Sequence, residues 1–465
     1  LKRSIAIIGG GASGALTALH VLALDLPIHV HLLNRSYELS GGVAYSFDDA
    51  NLLLNVPVAK MSAWAAAPDD FREWLEQRCP GRYQPTCFAQ RSLYRDYLRN
   101  RIDTSVKRAK FARLIIHHRD VGRLERRDGR YLLFPEGTAS IEVDAVVCAM
   151  GNCLFQARDK RGPIRLSDPR YVADPWDPNA VLQPRGEGEV VIIGSGLTAV
   201  DVVTRLRHAG CSRRIQIFSR HGLLPQAHRA FAPSEGFALP PLASSSPRDV
   251  ARMLRLAVLN LTRQGGDWRQ VVDALRPMTN RVWRGWTDRQ KRQFLRHGRA
   301  YWDGHRHRMC ADLAAKIEAE MQRDGVALRA ARVLDIVAET DGLRVTWCGR
   351  GCGTPRMLNA SLVVRCTGAE QLEPERTQPL VRHLLAQGMA SLDPCRLGLA
   401  TSDEGELMSA DGQTTRNVFA IGSLRRGSLW ETTAIPEIRV QAEELAKTLA
   451  NRSQPEDAAK PEYAV

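Results

Sequence analysis

The 465-residue chain carries 65 Lys and Arg against 51 Asp and Glu, a net charge of +14, and 44% of its residues are hydrophobic. That length and apolar content predict two or three domains with sizeable cores and exclude a fibrous or wholly disordered chain. No run of about 18 apolar residues occurs, which argues against a spanning helix, and the first apolar strand starts close to Leu1, leaving no room for a signal peptide. A cytoplasmic location is expected. The ten cysteines lack any C-x-x-C spacing, so reduced thiols are expected, with neither a disulfide framework nor a metal site.

In chain order, residues 4–9 read as a buried strand, 13–24 as a helix and 28–33 as a second strand, a β-α-β start. "DFREWLEQ" and "SLYRDYLRNRI" read as surface helices, and "DAVVCAMGN" (144–152) as a buried strand stopped by Gly151. The β-α-β pattern returns over 189–218, and two further strand-glycine endings follow, "SLVVRCTGAE" (361–370) and "NVFAIGS" (417–423). The Pro/Ser-rich "LPPLASSSPRD" (239–249) introduces a helical insertion at about 240–325. Cys348 and Cys352 in "WCGRGC" read as a glycine-rich hairpin carrying two thiols. The expected domains are 1–185 and 371–452 for one nucleotide-binding unit, 186–370 for the other, and a disordered tail over 453–465.

The densest basic stretch, 281–309, mixes Arg with Trp and Tyr. A solvated helix with its aromatics on the buried face is preferred there over a nucleic-acid groove, so no nucleic-acid partner is expected.

The glycine turns carry the chemistry. Gly9, Gly11 and Gly14 in "GGGASG" fit G-x-G-x-x-G, in which the first glycine makes the tight turn, the second lets backbone approach a pyrophosphate, and the third packs helix on strand. In "GSGLTAVD" Gly194, Gly196 and Ala199 take the same roles. Ser13, Ser195 and Thr198 join the two phosphate loops, each at a helix N-terminus suited to anions. Two such units on one chain imply an α/β protein with two Rossmann-like domains and two dinucleotides.

The residue closing the second strand of each unit discriminates between nucleotides. After Gly194 that position is Ser219, followed by Arg220, which suits a 2′-phosphate and predicts NADPH. After Gly9 it is Asn34, followed by Arg35; the usual acid is missing, yet Asn can hydrogen-bond ribose hydroxyls, so FAD is expected there.

Taken with "GGVAYS", "LLLNVPVAKMS", "SRHGLLPQAH", "YWDGHRHRM" and "GSLRRGSLWETTAIPEIR", these turns make about 450 residues resemble the two-dinucleotide-binding flavoproteins, and within them the bacterial FAD/NAD(P)-binding proteins. A looser similarity extends to flavin-containing and N-hydroxylating monooxygenases. On that resemblance "NVPVAKM" (55–61) places Asn55 beside the reactive face of the flavin as the catalytic residue, with Lys60 and Met61 shaping the loop. An Asn in a proline-flanked turn remains the structural alternative. The Baeyer-Villiger fingerprint is absent, and Ser423 stands where many flavoproteins carry Asp. Gly422, Trp430, Glu431 and Thr432 are then expected to complete the flavin site.

With no dithiol to receive electrons, molecular oxygen is the expected acceptor, and the resemblance implies a flavin C4a-hydroperoxide that hydroxylates an amine or amino-acid nitrogen. Arg425, Arg426 and Trp430, with His305 from the insertion, are the expected substrate contacts, the arginines for a carboxylate. A flavin-binding NADPH reductase or redox sensor working with a protein partner stays open as the alternative.

Overall fold

The computed structural model describes residues 3–152, 167–232, 234, 237–242, 245–368 and 371–452, so the tail expected over 453–465 lies outside the described residues. In chain order the strands are β1 (Arg3–Ile8), β2 (Ile28–Leu33), β3 (Arg113–His117), β4 (Val121–Arg127), β5 (Arg130–Pro135), β6 (Ile141–Val143), β7 (Ala145–Cys148), β8 (Tyr171–Val172), β9 (Glu189–Ile193), β10 (Ile215–Ser219), β11 (Val326–Ala338), β12 (Leu343–Gly349), β13 (Arg356–Arg365), β14 (Glu406–Met408) and β15 (Thr414–Ala420).

These strands form two six-stranded sheets, ordered β14-β15-β7-β1-β2-β3 and β12-β11-β10-β9-β13-β8, and a three-stranded sheet β4-β5-β6. In each large sheet the central strands run parallel. The parallel core is why β1, β7 and β9 read as continuous apolar runs rather than alternating ones: both faces of such a sheet are covered. Ile5, Ile7 and Val147 pack under the helices Ala12–Ala23, Arg91–Arg108 and Ile435–Asn451, while Ala6, Val146 and Cys148 face the opposite layer, which includes the β4-β5-β6 sheet. The second sheet is likewise covered on two faces, around Ile192 and Ile217 on one side and Val191 and Phe218 on the other. The first sheet draws on both ends of the chain, because β14 and β15 join it after the second unit is complete.

The connection from β10 to β11 holds the insertion. Its helices run Pro247–Arg263, Trp268–Leu275, Thr279–Gly285, Asp288–His297 and Arg299–Arg306; the next helix, Ala311–Gln322, packs on the second sheet through Ile317 and is the crossover helix of that unit. Ser246 caps the first of these by accepting from the Asp249 N–H, with Pro247 following, and Thr287 with Gln290 forms a capping box on another. The aromatics of the basic stretch turn inward: Trp283 sits 4.9 Å from Trp430 between ring centroids, and its indole N–H donates to the Gly427 carbonyl at 2.8 Å. The insertion is thereby seated on the C-terminal part of the first unit.

Candidate active site

The two glycine turns are built alike. Gly9 and Gly194 both have φ of +106°, and the N–H of each donates to the end of the next strand, Leu33 or Phe218, at 2.8 Å. A Cβ on Gly9 would lie 2.5 Å from the Ala149 carbonyl oxygen, and one on Gly194 2.3 Å from that of Cys366, so each glycine is required by the adjacent parallel strand end as well as by its own φ. Gly14 is closer still, its Cβ position 1.9 Å from the Gly9 oxygen. In the second unit that packing position is taken by fully buried Ala199.

Gly11 and Gly196 are different: they have ordinary φ, and a side chain there would meet only Gly42 Cα at 3.4 Å or nothing at all. Both are N-caps with no side-chain cap and no acid in the first helical turn, leaving the N–H groups of Ala12–Ala23 and Leu197–His208 without a side-chain acceptor. Uncapped donors, the positive end of the helix dipole and open space over the second glycine fit a pyrophosphate at both turns. Ser13 lies beside Gly422, whose added Cβ would sit 2.8 Å from Ser13 Oγ. Ser195 Oγ donates to the Leu223 carbonyl at 2.5 Å, tying the second turn to the loop after β10, while Thr198 is half-buried in the same turn. Gly151, with φ of +64°, ends β7 beside the first turn with open space above it.

The residues closing the second strands are used differently. Asn34 accepts from the Gly10 N–H at 3.1 Å and donates to the Ser36 and Glu38 carbonyls at 2.7 and 2.9 Å, so its amide shapes the loop over the first turn, with Arg35 exposed next to it. Ser219 Oγ accepts from the Gly222 N–H at 3.0 Å, which leaves Arg220 exposed at the corner. His221 follows, and Arg350, more than a hundred residues away in sequence, donates to its Nδ1 at 3.1 Å.

Asn55 stands in the loop that leads to the short helical turn Val58–Lys60, half-buried, with no hydrogen bond from its side-chain amide to any described residue. Its backbone carbonyl accepts from His228 Nε2 at 3.1 Å. Met61 is buried in the first-unit core and Lys60 is exposed. The segment entering this loop is held from the other side as well. Arg91 donates through Nε to the Leu53 carbonyl at 2.9 Å and forms an ion pair with Asp201 of the second-unit helix at 2.8 Å. Burial raises the Asp201 carboxyl above its ordinary range, with Arg91 opposing that shift.

The strand end Ala420–Gly422 meets the N-terminus of Ile435–Asn451, where Thr432 Oγ1 donates to the Gly422 carbonyl at 3.1 Å in a fully buried position. Glu431 is buried, accepts from Trp302 Nε1 at 3.1 Å and pairs with Arg306 at 3.0 Å, while its backbone exchanges two hydrogen bonds with Asn280. Trp430 is packed between Trp283 and Phe294. Arg425 donates to the Ser402 and Asp403 carbonyls at 3.2 and 2.7 Å, whereas Arg426 stacks over Trp430 at 5.4 Å; burial pushes each guanidinium down to about 10, so both stay charged at neutral pH. His305 is exposed, its Nδ1 against the Tyr301 carbonyl at 2.8 Å and its ring edge-on to Trp268. Its neighbours Arg306 and Arg308 are the residues of that helix end that turn inward.

These two join a cluster that sequence reasoning did not assemble. Arg276 Nε donates to Glu437 at 2.6 Å, Arg306 lies 3.6 Å from the same carboxylate, Arg308 pairs with Asp273, and Arg439 donates to the Ser62 carbonyl at 2.9 Å beside the Asn55 loop. Arg276 Nη2, the Nε atoms of Arg306, Arg308 and Arg439, and Glu437 Oε2 are buried without a hydrogen-bond partner among the described residues. Buried guanidinium donors left open are costly, even beside the carboxylates of Glu431, Glu437 and Asp273 with which these arginines pair. Arg306 and Arg308 lie in "YWDGHRHRM", from which only His305 is expected at the site, and nothing in the local sequence around Arg276 points to it.

Residues 6–153 match a family model described as FAD-NAD(P)-binding. No curated protein matches the chain by sequence. Among solved structures it is similar to the ornithine N-hydroxylase of Kutzneria sp. 744 carrying reduced FAD, NADP+ and L-ornithine, with a TM-score of 0.64, 14% identity, and 98% of this chain and 100% of that chain covered. The reduced ornithine hydroxylase of Pseudomonas aeruginosa gives 0.64 at 16% identity, covering 98% and 100%, and the L-lysine 6-monooxygenase of Pseudomonas syringae gives 0.63 at 14%, with the same coverage. At these identities the likeness establishes the fold, two Rossmann-like units with a helical insertion.

Proposed function

We propose that the chain is a FAD- and NADPH-dependent monooxygenase that hydroxylates the nitrogen of an amine or amino acid. The observation that carries this reading is the placement of the open arginine cluster between the Asn55 loop and the N-terminus of Ile435–Asn451, in a fold shared with ornithine and lysine hydroxylases. FAD, when bound, would supply the redox chemistry, taking hydride from NADPH and delivering electrons to molecular oxygen.

The chain's own residues bind, orient and exclude water. Gly9, Gly11 and Gly14 with Ser13 would hold the FAD pyrophosphate; Gly194, Gly196 and Ala199 with Ser195 and Thr198 would hold that of NADPH. The Gly422–Thr432 contact would set the helix N-terminus against a bound flavin, and the amide of Asn55, with no side-chain hydrogen bond to a described residue, would be available to its reacting face. Arg276, Arg306 and Arg308 would take an anionic group of the substrate, and the unpartnered Glu437 Oε2 would accept from its ammonium. Arg426, on the Trp430 face, is the further candidate for a carboxylate. The test is to measure NADPH consumed, peroxide released and hydroxylamine formed over a panel of amines and amino acids. Stoichiometric hydroxylamine with one class supports the proposal, and peroxide alone across the panel overturns it.

A partner-dependent reductase or sensor is the second reading, favoured by Leu256 and Leu259, which stand 52% and 47% exposed on the helix Pro247–Arg263. Co-purification of a protein lost on Leu256→Glu, together with peroxide-only turnover, would select it.

A further inference from the structure

The corner beyond β10 contains more positive charge than its local sequence provides. Ser219 is in register with Ala330 on β11, and the backbone N–H of Arg350 donates to the Ala330 carbonyl at 2.8 Å. The tip of the β12–β13 hairpin is therefore fixed on the far side of β11 from Ser219, two strand spacings or about 10 Å away at about 4.8 Å between neighbouring strands. Gly222 closes the corner, since an added Cβ would come within 3.0 Å of the Ala330 nitrogen. Arg350 is exposed and reaches back so that Nη1 donates to His221 Nδ1 at 3.1 Å, with Arg220 next in sequence and also exposed. That bond requires Nδ1 to be the acceptor, which leaves the Nε2–H of His221 as a free donor.

We infer that Arg350 is a second guanidinium of the NADPH 2′-phosphate site, reaching across from the β12–β13 hairpin to grip, with Arg220 and His221, a phosphate that Arg220 alone would hold by one edge. A dianionic phosphate monoester offers three acceptor oxygens, and two forked donors from opposite sides satisfy it better than one. Burial, followed by the cationic Arg350 and Arg220, lowers the His221 ring below its ordinary 6.5. Arg350 on the imidazole and Arg220 beside it in sequence place two exposed cations at this corner, a counter-charge suited to a phosphate. The inference rests on the NADPH assignment to the second unit and is independent of what the flavin oxidises.

Calorimetric titration of the purified protein with 2′,5′-ADP and with 5′-AMP tests it without turnover. Wild type should prefer 2′,5′-ADP, and Arg350→Ala should weaken 2′,5′-ADP about 10- to 100-fold, the range for loss of a charge-assisted bond, with a much smaller change for 5′-AMP. Arg350→Lys should recover part of the loss, and the double variant with Arg220→Ala should be non-additive if both hold one phosphate. Equal weakening of both nucleotides would show that Arg350 only props the hairpin, and no change in either would make it a solvated arginine; both outcomes overturn the inference. A wild type that binds the two nucleotides equally would overturn the NADPH assignment itself, which distinguishes that failure from a failure of Arg350.

Discussion

His228 Nε2 donates to the backbone carbonyl of Asn55 at 3.1 Å, so a loop of the second unit fixes the backbone at the candidate catalytic residue of the first. Phe88 packs against the same imidazole at 5.0 Å. The Asp201–Arg91–Leu53 chain grips the preceding residues, and the Asn55 loop is thereby clamped by both units on either side. Position here is set by contacts between domains rather than by the loop's own sequence.

Asn55→Ala is therefore expected to affect coupling more than folding, because the clamp acts on the main chain and leaves the side-chain amide free. Peroxide released per NADPH should rise and hydroxylamine per NADPH should fall, measured on the best substrate of the panel. Unchanged coupling would assign Asn55 to the turn alone.

The same contact carries a pH dependence. Burial, followed by the neighbouring Arg308, holds the His228 ring down at about 4, below its ordinary 6.5. Between those values the unfolded chain binds the proton and the folded one does not, so this contribution to stability is present above about pH 6.5 and is lost as pH falls toward about 4. His228→Gln keeps an N–H donor but does not titrate. Its midpoint of thermal unfolding should change less between pH 7 and pH 4.5 than that of wild type; parallel curves would remove His228 from the account.

Arg91→Ala should destabilise the protein by about 3–5 kcal/mol, the cost of leaving a buried carboxylate unpaired, because Asp201 is sequestered between the two units. Urea unfolding provides the measurement. Arg91→Ala with Asp201→Asn should recover part of the loss, since the uncompensated charge is then removed.

The first turn separates two kinds of glycine. Gly14→Ala places a methyl 1.9 Å from the Gly9 oxygen and should disrupt the turn itself, whereas a Cβ at Gly11 comes no nearer than 3.4 Å to the chain, so Gly11→Val should be tolerated by the fold. Gly11→Val should purify folded but without the yellow flavin spectrum, and Gly14→Ala should lose thermal stability as well. A yellow Gly11→Val protein would show that no dinucleotide approaches that backbone.

At the NADPH corner, Arg220→Ala should raise the Michaelis constant for NADPH by roughly 10- to 100-fold, equivalent to about 1.5–3 kcal/mol, with little effect on that for NADH. Steady-state kinetics with the two cofactors decide it, and equal effects would make Arg220 structural.

Features whose physics is local could be read from the residues alone. A parallel strand must be apolar on both faces, a tight turn beside a neighbouring strand end must be glycine, and a helix that receives an anion carries no cap; so β1, β7, β9, Gly9, Gly14 and Gly194 were legible from spacing alone. The inward Trp283, Trp286 and Trp302 of 281–309 were legible for the same reason, as an apolar face, although the stretch folds as three helices rather than one and Tyr301 is exposed. Only the tertiary structure decided the rest. The β4-β5-β6 sheet and the β11–β12 hairpin left too weak a periodicity to read, and the helix Ala311–Gln322, contiguous in sequence with the insertion, belongs to the second unit because Ile317 packs on its sheet. The same holds for the charged residues: His305, Arg306 and Arg308 are near neighbours in one basic string, yet the helix Arg299–Arg306 turns His305 outward and Arg306 inward toward Glu431, and the turn after it directs Arg308 toward Asp273. Arg276, Arg350 and His228 meet their partners across more than a hundred residues of chain, and such contacts leave no local pattern because the partner's position is set by packing of whole units.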